Sequence, residues 1–464
     1  MSRVCACIWF DVEDYVTPQS DDALLRLARI LTEEGVSATF KLVGEKARRL
    51  RQRGRSDVIA AVREHDIGYH TDLHSVHPTV SEYLEGLSWE EGIEEFDRRE
   101  RQGLWDVEEV LDRGCSTYGQ PGGAWAPHVY PVLQRWGVPT YVDEAMHVGL
   151  HDQPFWYCGV LNALRLRSRF TRMNPDGQND QFRACAEFDR IAGQLNSEGG
   201  GLISICHHEC EWATVGFWDG VNFARGANPP LDRLRLPVLR PQADCERDFE
   251  AFRQYVRHIA DSGVWVVTAA DLPALFVDRW AATPVPPDAV FGLAACMADG
   301  VNYQPLPYGW ASAAEAFAVI LTALCTRLDT GRLWLPIPGR YIEGPTSRPP
   351  PTRSCAARRA EFVKACHAVR GHLDAHGRVP SEVRVGAHIV SPAAFLRAAS
   401  RFLLSEMSGA LLLVVPIEDT PLECEAEVIE DGAFDWVIFP EGFSAPKLMD
   451  LARLQTWTLK PAML

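Results

Sequence analysis

A chain of 464 residues exceeds the roughly 250–300 residues at which single hydrophobic cores stop growing, so two or three domains are expected. Its 47% hydrophobic and 23% charged residues are ordinary globular usage, which excludes a disordered, collagen-like or coiled-coil chain. The 46 basic and 62 acidic side chains leave a formal charge of -16, a surface that repels phosphate backbones and anionic lipid and argues against nucleic acid as a partner.

The chain opens M-S-R-V-C-A-C-I-W-F, which reads as an apolar strand over 4–10 and not as a secretory leader. No apolar stretch reaches the ~18 residues needed to span a bilayer, and a cytoplasmic location is expected. Residues 21–34 carry helical spacing through Leu24, Leu25, Leu27, Ile30 and Leu31, and 36–43 return to a strand, together a βαβ opening. The basic run Lys46 to Arg55 reads as a solvated helix end closed by Gly54. Helices are predicted near 57–65, 89–112 and 128–136, with a Gly/Pro-rich break at 119–123, and strand-like runs at 138–142, 201–206 and 263–268. This alternation predicts an α/β barrel or wound sheet.

The Pro-rich segment Thr283 to Asp288 marks a boundary between a first domain over 1–282 and a smaller, mostly helical one over 289–464. In the latter, Ser312-Ala-Ala-Glu315 is a capping box opening a helix through Phe317, Ile320, Leu321 and Leu324. Ser391-Pro392 opens a second through Phe395, Ala398, Ala399 and Phe402. Two Ser-started helices suggest a degenerate repeat with a binding or assembly role, joined through an exposed connection, Gly344 to Pro351. The thirteen cysteines are odd in number and lack C-x-x-C pairs, so most are expected to be reduced core residues of a cytosolic protein.

Three places combine acids and histidines at the ends of predicted strands. In F-D-V-E-D-Y, Phe10 to Tyr15, the carboxylates Asp11, Glu13 and Asp14 crowd one strand end, a costly arrangement unless a cation or proton is shared, although a helix N-terminal acidic cluster reads equally well. In H-D-I-G-Y-H-T-D-L-H-S-V-H, His65 to His77, His70 and His74 stand four apart, so that on one helical turn both imidazoles would face one ion. Two histidines and a carboxylate leave positions open for water and substrate, as catalytic zinc requires, while His65 and His77 are expected to cap or bond locally. In L-I-S-I-C-H-H-E-C-E-W, Leu202 to Trp212, a strand delivers His207 and His208 as candidate general acids. A zinc clip of Cys206, His207, His208 and Cys210 is disfavoured, because four ligands within five residues cannot easily wrap one tetrahedral ion.

These segments, in this order, resemble the polysaccharide deacetylases of the NodB-homology type, carbohydrate esterase family 4, over about residues 4–275. F-D-V-E-D is similar to the family's aspartate-bearing strand end, A-T-F-K-L-V-G (Ala38 to Gly44) to its A-T-F-F-v-x-G strand, and H-D-I-G-Y-H-T-D-L-H to its H-E-I-G-N-H-T-x-x-H segment. G-V-W-V-V-T-A-A-D-L, Gly263 to Leu272, resembles the closing strand. The resemblance implies a distorted (β/α) barrel, Asp11 as catalytic base, Glu13 (or Asp14) with His70 and His74 as ligands of a divalent metal ion, zinc above all, and His208 in preference to His207 as the acid. It also exposes a departure, since the family's R-x-P-x-G is here G-Q-P-G-G, Gly119 to Gly123, without the arginine that orients the base. Gln120, Pro121 and Trp125 beside it, and Trp218, Asp219, Asn222 and Arg225 in the loop Phe217 to Pro230, are candidate substrate contacts, with Arg225 a possible stand-in for the arginine. The stretch Val379 to Leu396 loosely resembles a pseudomurein-binding repeat.

The function expected is a metal-dependent amide hydrolase that removes acetyl from an N-acetylated sugar or related intermediate, with a homo-oligomer left open. An allantoinase-like cyclic-amide hydrolase, or a carbohydrate-binding protein that lost turnover with the arginine, are the alternatives.

Overall fold

The apolar opening run becomes β1 (Arg3–Val12), with every residue from Val4 to Val12 buried. Burial on both faces explains why this run is continuously apolar instead of alternating. The computed structural model describes residues 3–175, 180–280, 283–332, 336–349 and 351–464. The helix Pro18–Glu33 follows, with Pro18 in its first turn and Leu24, Leu27, Ile30 and Leu31 turned into the core.

Four parallel strands succeed β1: β2 (Thr39–Leu42), β3 (Asp66–Tyr69), β4 (Thr117–Tyr118) and β5 (Thr140–Val142). The predicted helices lie between them, at Ser56–Arg63, Trp89–Leu111 and Val129–Trp136. Beyond these come β6 (Phe155–Tyr157), β7 (Val160–Ala163) and β8 (Phe170–Thr171), too short to stand out in the sequence, then β9 (Gly200–His208) and β10 (Trp265–Val267). The order across the sheet is Lys460–Pro461, β6, β7, β5, β4, β3, β2, β1, β9, β8, with β10 on the first half of β1. The result is a curled mixed sheet whose two end strands do not pair, an open form of the expected α/β barrel.

The C-terminal region is helical and built twice on one plan. The helix Pro287–Asp299, a hairpin (Gln304–Leu306 with Gly309–Ala311) and the Ser312-capped helix Ala313–Thr330 form one unit. The helix Arg359–His376, a hairpin (Val383–Val385 with His388–Val390) and the Ser391-capped helix Pro392–Ser408 form the other. The two interlock, the first helix of each packing on the second of its counterpart. In the expected boundary segment, Thr283 to Asp288, Val285 bridges to Ile337 and Pro287 opens the helix Pro287–Asp299; residues 281–282 just before it and Pro350 in the connection lie outside the described residues.

One hydrophobic cluster runs from Val4 to Leu459 and takes in both regions. The last strand, Lys460–Pro461, pairs with β6, and the buried Lys460 ammonium lies 2.7 Å from Glu315 and 2.8 Å from Asp278. The basic run also departs from expectation. Its helix, Gly44–Gln52, ends near Gly54, but Lys46 is fully buried, 2.9 Å from Asp21 and 3.2 Å from Glu209, and is a core ion pair instead of a solvated charge. None of the thirteen cysteines forms a disulfide.

Candidate metal centre and cleft

Strand register assembles the site. Asp11, next to last in β1, stands opposite Lys41 of β2 on one side and His208, the end of β9, on the other. β3 then delivers His70 just beyond its last residue, so the carboxyl ends of adjacent parallel strands converge, the usual place for ligands in such sheets. Asp11 is buried, with Oδ1 2.8 Å from Lys41 Nζ and 3.4 Å from His70 Nδ1, and Oδ2 3.7 Å from His208 Nε2. Burial pushes its carboxyl up, but His70, Lys41 and His208 outweigh that and hold it below the ordinary range.

Glu13, His70 and His74 each place a ligand atom within 4.8 Å of the others, all three buried. The two histidines are not on a helical turn as expected. After β3 the chain runs through tight turns in which Thr71 (φ 63°) and His74 (φ 56°) are left-handed, and this geometry brings the rings to 5.1 Å. His70 Nδ1 donates to the Gly119 carbonyl (2.9 Å), which leaves its Nε2 unprotonated, while His74 Nδ1 meets Ser75 Oγ (2.6 Å) and its Nε2 faces Glu13. Burial pushes both imidazoles down, His70 well below its ordinary value and His74 to about 4, so both are neutral ligands.

The donor set fits a divalent ion. His74 Nε2 lies 2.5 Å from Glu13 Oε2 yet makes no hydrogen bond, and burial raises the Glu13 carboxyl well above its ordinary range. A buried ring nitrogen without a hydrogen bond, pressed against a carboxylate, is what a shared cation relieves, and two imidazoles with a carboxylate are a set divalent zinc-class metals take. Asp14 is not among them. Its carboxylate accepts from Val16 N and Thr17 N (2.9 Å each) and Ser20 Oγ (2.7 Å), ordering the turn that leads into the helix Pro18–Glu33. His77 bonds locally, to Glu82 (2.7 Å), whereas His65 reaches across to Ala28 O (3.0 Å) in the helix Pro18–Glu33.

Alternation along β9 separates the two adjacent histidines. His207 is fully buried among Phe10, Trp212, Phe252 and Tyr255, on the face away from Asp11, and burial pushes it down to about 3. His208 borders the cleft. Burial alone would lower it, but Glu211, 3.3 Å from Nδ1, together with Glu13 and Asp11, pushes it up to about 9. Glu211 is held by Arg172 at 2.5 Å. No clip of Cys206, His207, His208 and Cys210 forms; Cys206 instead lies with Asp11 and His208, and Cys210 Sγ points to Glu13 Oε1 at 3.7 Å.

The space at Gly119 is filled from the neighbouring strand. A Cβ there would meet Lys41 Nζ at 2.0 Å and Asp143 Oδ2 at 2.4 Å. Lys41 donates to Val142 O (2.7 Å) and Asp143 (2.8 Å), and although burial favours a neutral amine, Asp11 and Asp143 keep it charged. The expected stand-in, Arg225, is exposed, its N–H donating to Val437 O, and it makes no ion pair with Asp11.

Two cavities of about 290 and 490 Å³ open onto the site, both reaching His208, Gly122 and Trp436. None of the residues expected to contact substrate at Gln120, Pro121, Trp125, Trp218 and Arg225 lines them. Gln120 is buried between Tyr141 OH and Asp143, Trp125 is buried on His147, and Trp218 is buried beneath Tyr15 and His74. Of the expected contacts Asp219 does line the larger cavity, beside Phe217 of the same loop, and the rest of the wall includes Asp143 and the segment Gly432 to Val437. Trp436 donates to Asp219 Oδ2 (3.1 Å), stands edge-on to His74 and occupies the space beside Gly122, where a Cβ would meet its ring at 2.2 Å. No motif marks Trp436 or Asp143; for Lys41 a signal existed in the lysine that A-T-F-K-L-V-G carries at a strand position expected to be apolar, and for Glu211 in its place three residues after His208.

The sequence matches no family model and no curated protein. Among solved structures the chain is similar to a provisionally named polysaccharide deacetylase of Mycobacterium smegmatis, with 16% identity and a TM-score of 0.39, over 59% of this chain and 90% of that one. It is similar also to an allantoinase (12%, TM-score 0.38, 61% and 91%) and to a carbohydrate esterase family 4 pseudoenzyme of Bacillus anthracis (12%, 0.33, 58% and 66%). At such identities and scores the likeness concerns the fold and carries nothing about activity. The pseudomurein-like stretch finds no support in these comparisons.

Proposed function

We propose that this chain is a metal-dependent amide hydrolase that removes acetyl from an N-acetylated sugar or a related N-acylated intermediate. The observation that carries the reading is the convergence of two unlike groups on one cleft: a buried donor set, Glu13, His70 and His74, and an acid–base pair, Asp11 and His208, beside it. A divalent ion, zinc by choice of donors, supplies when bound the polarisation of a carbonyl and the acidification of water.

The chain's own residues do the rest. Asp11, ionised and facing the cleft, takes the proton of the attacking water. His208, protonated through Glu211, delivers a proton to the departing nitrogen. Trp436, Phe217 and Asp219 offer a ring, a second ring and an acceptor to a substrate with apolar faces and hydroxyls. The small cavities on either side of Trp436 support a small molecule or precursor as substrate, and we place it in the cytoplasm.

The test is acetate release from a panel of N-acetylated amino sugars and nucleotide sugars by zinc-loaded protein. Turnover that vanishes in Asp11→Asn while zinc stays bound supports the reading. A wild-type chain that binds no divalent ion would overturn it in favour of a non-catalytic carbohydrate-binding role.

A further inference from the structure

We propose that Lys41 is the positioning residue of this site, an ammonium sent in from β2 to hold the Asp11 carboxylate through the space that Gly119 leaves open. The inference rests on the amide-hydrolase reading for the role of Asp11, but its geometry stands apart from that role.

Lys41 is fully buried, its Nζ donating to Asp143 Oδ2 at 2.8 Å and the Val142 carbonyl at 2.7 Å and forming an ion pair with Asp11 Oδ1 at 2.8 Å. Its charge also lies over the Trp9 ring, 4.2 Å from the centroid. Two hydrogen bonds, an ion pair and a ring leave the ammonium one place to be, and its charge holds Asp11 Oδ1 at the end of β1. Asp143 is anchored in turn, its Oδ1 accepting from Gln120 Nε2 at 3.2 Å and from Glu144 N at 2.7 Å. The chain Gln120–Asp143–Lys41–Asp11 is thus a brace from the loop after β4 to the cleft.

Gly119 is the other half of the device. Any side chain there would collide with Lys41 Nζ, so a long residue at 41 and a side chain at 119 exclude each other. The strand A-T-F-K-L-V carries its lysine where an apolar residue would satisfy a buried strand, and this is why: the cation enters from β2 because nothing enters from 119. A buried cation with no partner of opposite charge would be expelled or neutralised, so the two carboxylates and the lysine form one unit.

The experiment compares Lys41→Met, Gly119→Arg and the double variant Lys41→Ala/Gly119→Arg in the full chain. With a turned-over substrate, Lys41→Met should lower kcat about 100-fold, the scale of a misplaced catalytic group, with KM and zinc content near wild type. Gly119→Arg alone should lose activity by collision, and the double variant should regain part of what either single change loses. Unchanged kcat in Lys41→Met, or a double variant no better than Gly119→Arg, overturns the proposal. Crystal structures of zinc-loaded wild type and Lys41→Met decide it even without turnover. The Asp11 carboxylate should rotate or split between conformers in Lys41→Met, and an Asp11 that stays in place there would sink the idea whether or not the chain proves to be a hydrolase.

Discussion

Replacing Glu211 by Gln keeps the shape beside His208 and removes the charge that does most to protonate it. With His208 at about 9, roughly nine-tenths of the rings carry a proton at pH 8; at the ordinary 6.5, about 3% do. If His208 donates a proton in turnover, Glu211→Gln should therefore cost about 30-fold in kcat/KM at pH 8 and almost nothing near pH 5.5. The same rise is a stability term. A histidine whose folded value lies above its unfolded one stabilises the fold fully below about 6.5 and loses that contribution as pH climbs through about 9, a span that corresponds to ~3 kcal/mol. Wild-type melting temperature should fall across that window, and the variant's should fall less. The assay that needs no substrate is an NMR titration of the His208 ring in metal-stripped protein. A midpoint unmoved by Glu211→Gln would refute the assignment of Glu211 as the group that holds the proton on His208.

His74→Ala should empty the metal centre, whereas Asp14→Asn should keep the metal and cost about 1 kcal/mol by weakening the hydrogen bonds of the turn before the helix; elemental analysis and denaturant melts separate the two. Arg225→Ala should leave both the pH profile and kcat/KM unchanged, because Arg225 makes no ion pair with Asp11; a shifted profile would return it to the site. A fragment ending at residue 282 should be insoluble or inactive, since it lacks Trp436 and the strand at Lys460, and a soluble, active fragment would show that the second region only attaches. Lys460→Met should destabilise by about 3–5 kcal/mol by leaving Glu315 buried and unpaired, read from urea unfolding.

The sequence by itself determined what local chemistry and spacing determine. The period of apolar residues gave β1, the helix Pro18–Glu33 and the alternation after it, because each element must bury its own face. Ser312 and Ser391 announced two helices, since capping is read within four residues. Asp11, Glu13, His70, His74 and His208 were legible because strand ends concentrate such groups. Tertiary structure alone decided which of them meet. Whether Glu13 or Asp14 faces the histidines depends on a rotation of the chain after β1, and whether His207 or His208 faces the cleft depends on the pleat of β9. The left-handed turns that join His70 to His74 replace the helix their spacing suggested, as both spacings bring two rings together. Asp143 and Trp436 were out of reach, and Lys41 showed only as a lysine in an apolar strand, because partners across strands or hundreds of residues carry no sign of the space at Gly119 or beside Gly122 that they fill.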